Sequence, residues 1–296
     1  MSELQSALLI AAHGRQFVVQ TPAGRRLQCV TRARSHDFAV GDRVLIAETG
    51  ADGAVIEDRI ERRNEFKRSD SRRVKVVAAN LDAVACVIAP QPPFSEALLM
   101  RVLACAHEAA IEVAILVNKC DLVEAFASIA PRLSVYRALG YRVFELAPGP
   151  EPADAVAQLS PWLRHRLTAV VGQSGMGKST LINALVPDAA LATQTISLAL
   201  GTGRHTTTFT KAFELPGGGW IVDSPGFQEF VLGHLSDSQL AHAIPEIRAR
   251  LGHCRFTNCR HLDEPGCAVL TDLASGRVDA RRMQIWRELI QDPRRL

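Results

Sequence analysis

Long hydrophobic runs are missing from this chain of 296 residues. None approaches the ~18 apolar residues that a membrane-crossing helix needs, so no membrane partner is expected. The short apolar stretch at 7–12 follows Glu3 and no basic residue, which does not read as a signal peptide. The cytoplasm is therefore the expected compartment. Aromatics are few, and the N-terminal stretch offers Phe17 and Phe38 as its share, so base stacking there is expected to contribute little. Cysteine is not arranged as a disulfide framework. Cys29, Cys86, Cys105 and Cys120 are scattered among apolar residues and read as reduced core positions. The net charge is only +3, so the overall balance does not name a partner. Internal repeats and low-complexity segments are also lacking.

What is present is uneven. Eight Lys/Arg between Arg59 and Lys75 stand against three acids, and Arg277, Arg281, Arg282, Arg287, Arg294 and Arg295 cluster near the end. Such groups can neutralise phosphates, or can be a solvated linker and helix face. Residues 4–62 carry short apolar segments with turn signals every 8–15 residues, which predicts a small all-β barrel, OB-like or SH3-like. From about residue 74, strand-length runs at 83–88, 113–117, 141–146 and 167–171 alternate with helical stretches at 95–110, 126–139 and 178–185. That alternation predicts a parallel sheet with helices on both faces. Helical segments around a Cys/His cluster follow near Gly233. The expected units are 1–70, 71–232 and 233–296, a multidomain chain with an α/β centre.

The chemistry is concentrated in four motifs. Gly172, Gln173, Ser174, Gly175, Met176, Gly177, Lys178, Ser179 and Thr180 fit G-x-x-x-x-G-K-[ST], after an apolar strand and before a helix. Glycines let backbone N–H groups curl around an anion, and the helix N-terminus adds its positive end. Lys178 is expected at the β and γ phosphates and Ser179 at Mg²⁺. Asn118, Lys119, Cys120 and Asp121 form N-K-x-D. The Asp carboxylate accepts from guanine N1–H and the 2-amino group, and adenine would leave it unpaired. Asp223, Ser224, Pro225 and Gly226 form D-x-x-G, with the Asp on Mg²⁺ through water and the Gly N–H on the γ-phosphate. The loop at 201–208 supplies a threonine for Mg²⁺, with Thr207 preferred over Thr206 and Thr208. Phe227 stands where many GTPases place a water-orienting Gln, so slow intrinsic turnover is expected, with His205 as the catalytic candidate.

Cys254, Cys259, His261 and Cys267 offer three thiolates and an imidazole, a set that suits one tetrahedral Zn²⁺ in a closed structural site. His253 is a substitute ligand, and a disulfide or a set of free thiols is the competing reading. The order of the nucleotide motifs is permuted, because N-K-x-D precedes the phosphate loop.

These segments, together with the run ending Glu264-Pro-Gly-Cys267-Ala-Val, closely resemble the bacterial ribosome small subunit-dependent GTPase A family over nearly the whole chain. The resemblance implies an N-terminal OB-fold, a circularly permuted GTPase and a C-terminal zinc domain. It also implies late maturation of the small ribosomal subunit, contact with its rRNA, and hydrolysis stimulated by that subunit. A monomer is expected. One departure from the family is Ala147-Pro148-Gly149 where a Ser-Ala loop usually supports the base, which leaves Ala147 as the expected second contact. Two other readings stay open at this point. One is an RNA-binding module with nucleotide as a structural or sensing ligand. The other is an ATP-dependent kinase, which Asn118 and Asp121 oppose.

Overall fold

The computed structural model describes residues 4–31, 37–69, 74–187, 189, 210–224 and 230–295. Five short strands come first: β1 (Gln5–His13), β2 (Gln16–Gln20), β3 (Arg26–Thr31), β4 (Arg43–Glu48) and β5 (Gly53–Arg59). Alternation sets their faces, as in β3, where Leu27 and Cys29 point inward between exposed neighbours. Strand β3 runs parallel to β5, and β1 also pairs with β4, which closes the barrel. The order β1-β2-β3-β5-β4 is that of an OB-fold, so the SH3-like alternative falls away.

The basic stretch after the barrel is no plain linker. Strand β6 (Glu65–Ser69) pairs with β7 (Val74–Ala79) as an antiparallel hairpin. The division expected at 70/71 falls between these two strands, outside the described residues.

The nucleotide region is built on β8 (Ala83–Ile88), β9 (Glu112–Val117), β10 (Arg142–Glu145), β11 (Leu167–Val171), β12 (Lys211–Glu214) and β13 (Trp220–Asp223). All pair in parallel except β12, which is antiparallel to β13. Helices α1 (Glu96–Glu108), α2 (Val123–Ala138), α3 (Pro152–Leu163) and α4 (Lys178–Leu185) cover both faces. Strand β8 is buried at every position. Val84, Cys86 and Ile88 face the core that includes α1, and Ala83, Ala85 and Val87 face the one that includes α3 and α4. Helix α3 starts on Pro152 at its first turn, where a missing N–H is harmless. The expected parallel sheet with helices on both faces is present, with α3 as an addition.

Sheet pairing does not stop at the nucleotide region. Ala11 of β1 pairs with Lys211 of β12, so barrel and nucleotide strands form one continuous sheet of order β10-β9-β8-β11-β13-β12-β1-β2-β3-β5-β4. Where the turn before β4 meets the end of β7, Gly41 adopts φ +95, and a Cβ there would collide with the Ala79 carbonyl.

The C-terminal module holds α5 (Asp237–Ala243), α6 (Pro245–Arg248), α7 (Ala268–Ala274) and α8 (Ala280–Ile290). Helix α5 opens with a reciprocal Ser236–Gln239 capping box. Helix α8 buries Met283, Ile285, Trp286 and Leu289 in the same core as α1. Truncating Trp286 to Ala would cost about 3–5 kcal/mol. No helix among the described residues is long and apolar enough to cross a membrane.

Candidate nucleotide site and metal centre

The loops that follow β8, β9 and β11 meet the end of β13 at the carboxyl edge of the sheet, where α/β sheets place their ligands. The phosphate loop leaves β11 and enters α4 with Gly172, Gly175 and Gly177 all at positive φ. Two of these conformations also lack room for a side chain. A Cβ on Gly172 would meet the Val87 carbonyl, and one on Gly177 would meet the Asn118 amide. Lys178 is buried, and its ammonium donates to the Gly172 carbonyl at 2.9 Å and the Gln173 carbonyl at 2.8 Å. Burial lowers its pKa, with the Asp223 carboxylate pulling the other way.

The N-K-x-D loop is docked on the phosphate loop. Asn118 Nδ2 donates to the Met176 carbonyl at 2.8 Å, and its Oδ1 accepts the Lys119 N–H at 2.8 Å. Lys119 takes a left-handed φ of 61, and its Nζ donates to the carbonyls of Gly175 (2.8 Å) and Gln91 (2.7 Å). Asp121 is exposed at the mouth of this loop. The Cys120 N–H donates to the Leu146 carbonyl at 3.1 Å, which brings the half-buried Ala147 alongside. Gln173 was expected to serve the phosphate cradle. In the structure its Oε1 accepts the Ser95 N–H at 2.7 Å, tying the loop to the N-cap of α1.

Asp223 ends β13 almost buried, while Ser224 donates to the Val170 carbonyl at 2.9 Å. Burial pushes the Asp223 carboxyl up, against the ammonium groups of Lys211 and Lys178. Lys211 is the polar residue that sequence reading missed. It sits directly across β12–β13 from Asp223, buried, with Nζ 4.0 Å from Oδ2. Two lysines around one carboxylate leave a net positive charge at the strand end, which favours a polyphosphate. Its sequence signal was weak, because the pairing depends on hairpin register. Ser174, Ser179 and Thr180 lie in the loop and first turn of α4. His205, Thr206, Thr207, Thr208, Pro225, Gly226 and Phe227 lie outside the described residues.

The four predicted metal ligands converge, with ligand atoms all within 4.8 Å of one another. Cys254 Sγ lies 3.9 Å from Cys267 Sγ, and His261 Nδ1 lies 3.4–3.5 Å from the three sulfurs. Tetrahedral Zn²⁺ with Zn–S near 2.3 Å sets sulfurs about 3.8 Å apart and S···N pairs about 3.5 Å apart. The donor set thus fits such an ion, and the cluster can hold a metal. His253 is not part of it. Glu264 fixes the ligand loop by accepting N–H groups from Arg260, Leu262 and Asp263. Burial opposes its charge, but these amides hold the carboxyl down at about 2.

The basic clusters are largely consumed inside the fold. Arg62 is buried against Asp42 (2.7 Å) and Glu65 (2.6 Å), Arg63 pairs with Asp82, and Lys67 pairs with Glu65. At the other end Arg282 pairs with Glu246, Arg277 with Asp272 and Arg294 with Asp292. Both clusters thus carry ion pairs within the fold, at Arg62, Arg63 and Lys67 and at Arg277, Arg282 and Arg294.

A parallel sheet with a glycine-rich loop at its centre, an upstream base-reading loop docked on it and an acidic strand end downstream defines a P-loop GTPase of permuted order. The family model described as RsgA GTPase matches residues 59–233. "Small ribosomal subunit biogenesis GTPase RsgA" of Burkholderia pseudomallei (strain K96243) is 50% identical over 286 residues, covering 96% of this chain and 91% of that protein. The protein of the same name from Ralstonia pickettii (strain 12J) is 46% identical over 292 residues, covering 97% and 93%. Among solved structures, YjeQ from Thermotoga maritima superposes with a TM-score of 0.75 at 24% identity over 97% of this chain and 98% of that one, a likeness of fold. YloQ, described as a circularly permuted GTPase, gives 0.73 at 26% identity over 98% and 95%. This chain belongs to the RsgA GTPase family.

Proposed function

We propose that this protein hydrolyses GTP in the biogenesis of the small ribosomal subunit, binding that subunit and its rRNA in the GTP state and leaving after hydrolysis. The observation that carries the nucleotide half is the docking of Asn118 and Lys119 on the carbonyls of Met176 and Gly175. It makes base recognition and phosphate binding one rigid unit. In this reading Asp121 selects guanine, Lys178 exchanges its loop carbonyls for phosphate oxygens, and the loop amides 172–180 cradle the anion. Mg²⁺ held through Ser179, Thr207 and Asp223 would neutralise charge on the β and γ phosphates. Thr207 and the Gly226 N–H would report the γ-phosphate, and His205 would orient the attacking water. Zn²⁺ on Cys254, Cys259, His261 and Cys267 would serve structure alone. The setting is cytoplasmic and the working form a monomer. The partner half of the reading is supported by the names of the relatives.

GTP turnover is the test, measured alone and with small subunits, large subunits and duplex RNA. Slow turnover that only small subunits accelerate is expected. Equal stimulation by large subunits or duplex RNA removes the assigned partner. No turnover under any condition favours a binding module, the reading that Phe227 motivates.

A further inference from the structure

The barrel's aromatics face inward. Phe17 is buried, and its ring meets that of the half-buried Phe38 edge-on at 5.4 Å. Phe256 does the opposite. At 42% exposure it is the one aromatic among the exposed large apolar side chains of the described residues. It sits in the loop between two members of the metal cluster, Cys254 and Cys259, so both ends of the loop are pinned. The Arg255 guanidinium lies over the ring, 5.4 Å from its centroid. Arg255 is itself held, because its N–H donates to the Gly266 carbonyl at 3.0 Å. Gly266 has φ +74, and a Cβ there would press on the Arg255 stem at 2.9 Å. Thr257 and Asn258 are exposed beside the ring and carry hydrogen-bonding groups. The segment 254–262 contains two arginines and no acid.

We propose that the loop 255–258 is a platform on which one unstacked base of single-stranded RNA lies against Phe256. A rigid ring presented in water, with a guanidinium on it and amide and hydroxyl groups at its rim, matches how splayed-out bases are held. Arg255 strengthens the stack through its cation and faces the adjoining phosphate. An apolar pocket on a protein would accept Phe256 but would have to strip water from Arg255 without a carboxylate in return. RNA welcomes both groups. The source of that RNA, the small subunit, rests on the function proposed above.

The test compares Phe256→Ala, Phe256→Trp and Arg255→Gln in the full chain. Metal content and GDP affinity should match the parent in all three. Phe256→Ala should weaken binding to a labelled single-stranded oligoribonucleotide, and to small subunits, by about 5- to 150-fold with its salt dependence nearly unchanged. Phe256→Trp should restore binding, and its fluorescence should be quenched by single-stranded but not duplex RNA. Arg255→Gln should weaken binding and reduce the salt slope by about one. Oligonucleotide binding that is absent in the parent, or unchanged in Phe256→Ala, overturns the platform. Loss of subunit binding alone, with the oligonucleotide unaffected, also overturns it and makes the loop a protein contact. If Phe256 governs oligonucleotide binding but the parent ignores small subunits, the platform stands and the assigned partner fails.

Discussion

The barrel joins the nucleotide sheet through its backbone, at the pairing of Ala11 with Lys211. The metal module joins through side chains. Arg132 of α2 bonds Glu96 of α1 (2.7 Å) and Asp279 at the start of α8 (2.9 Å), Arg101 bonds Asp292 (3.0 Å), and Ser69 of the hairpin meets His234 (2.9 Å). The two modules also differ inside. The barrel is held by inward aliphatic residues such as Leu9, Val19, Ile46 and Ile56, all buried. The segment around Cys254 and His261 has short helices and long turns, and its organising element is a four-ligand cluster. No single side chain carries the β1–β12 backbone pairing. The ion pairs that supplement the apolar core shared by α1 and α8 can be removed one at a time.

Metal removal should break the comparison most sharply. Structural zinc can supply about 10–16 kcal/mol of apparent folding free energy in small domains. Chelation, or Cys259→Ser, should therefore raise hydrogen exchange across 250–275 while the barrel strands stay protected. Equal exchange in both modules after chelation would show that the cluster does not organise its surroundings.

A smaller effect is expected where the turn before β4 meets β7. Gly41→Ala forces a side chain into φ +95 and into the Ala79 carbonyl. That should cost about 2–4 kcal/mol, seen as a lower urea midpoint with exchange rising first in β1 and β4. A midpoint within experimental error of the parent would mean that this contact is soft.

The smallest effect belongs to a single ion pair in the side-chain joint. The Arg132 guanidinium holds the Asp279 carboxyl below its ordinary 3.8. A depressed acid stabilises the fold above its unfolded value, and that contribution is lost as pH falls through the folded one. Asp279→Asn keeps a capping oxygen for α8 but loses the charge. It should cost about 0.5–1 kcal/mol at pH 7, and the cost should shrink as pH falls below the ordinary 3.8 and through the depressed value, read from paired urea midpoints. A gap that does not narrow with acid would assign the effect to packing.

Much of this was legible in residue order. Valine- and alanine-rich runs mark strands buried on both faces, and the glycines of the phosphate loop mark backbone that admits no Cβ. Long-range pairing was not legible. Charge density along the chain does not reveal that Arg62 meets Asp42, or that Arg282 meets Glu246, because those acids lie twenty and more residues away. Lys211 escaped notice for the same reason, since its partner is fixed by register across a hairpin. Helix α3 went unread, although Pro152 occupies a position where helices accept proline. Exposure is equally invisible in one dimension, so nothing in residue order singles out Phe256.

The single pairing between β1 and β12 also has a consequence in time. A ribosome making this chain releases the barrel early, yet the strand that covers the outer edge of β1 emerges about 150 residues after β5 completes the barrel. At about 5–20 residues per second that is about 8–30 s during which a formed barrel carries an open edge. Edge strands left open invite wrong partners. In this chain the exposed part of the edge is short, because the first half of β1 is already engaged by β4 through Gln5, Ser6, Ala7 and Leu8. The nascent barrel thus waits for the rest of its sheet with only a few backbone groups unclaimed.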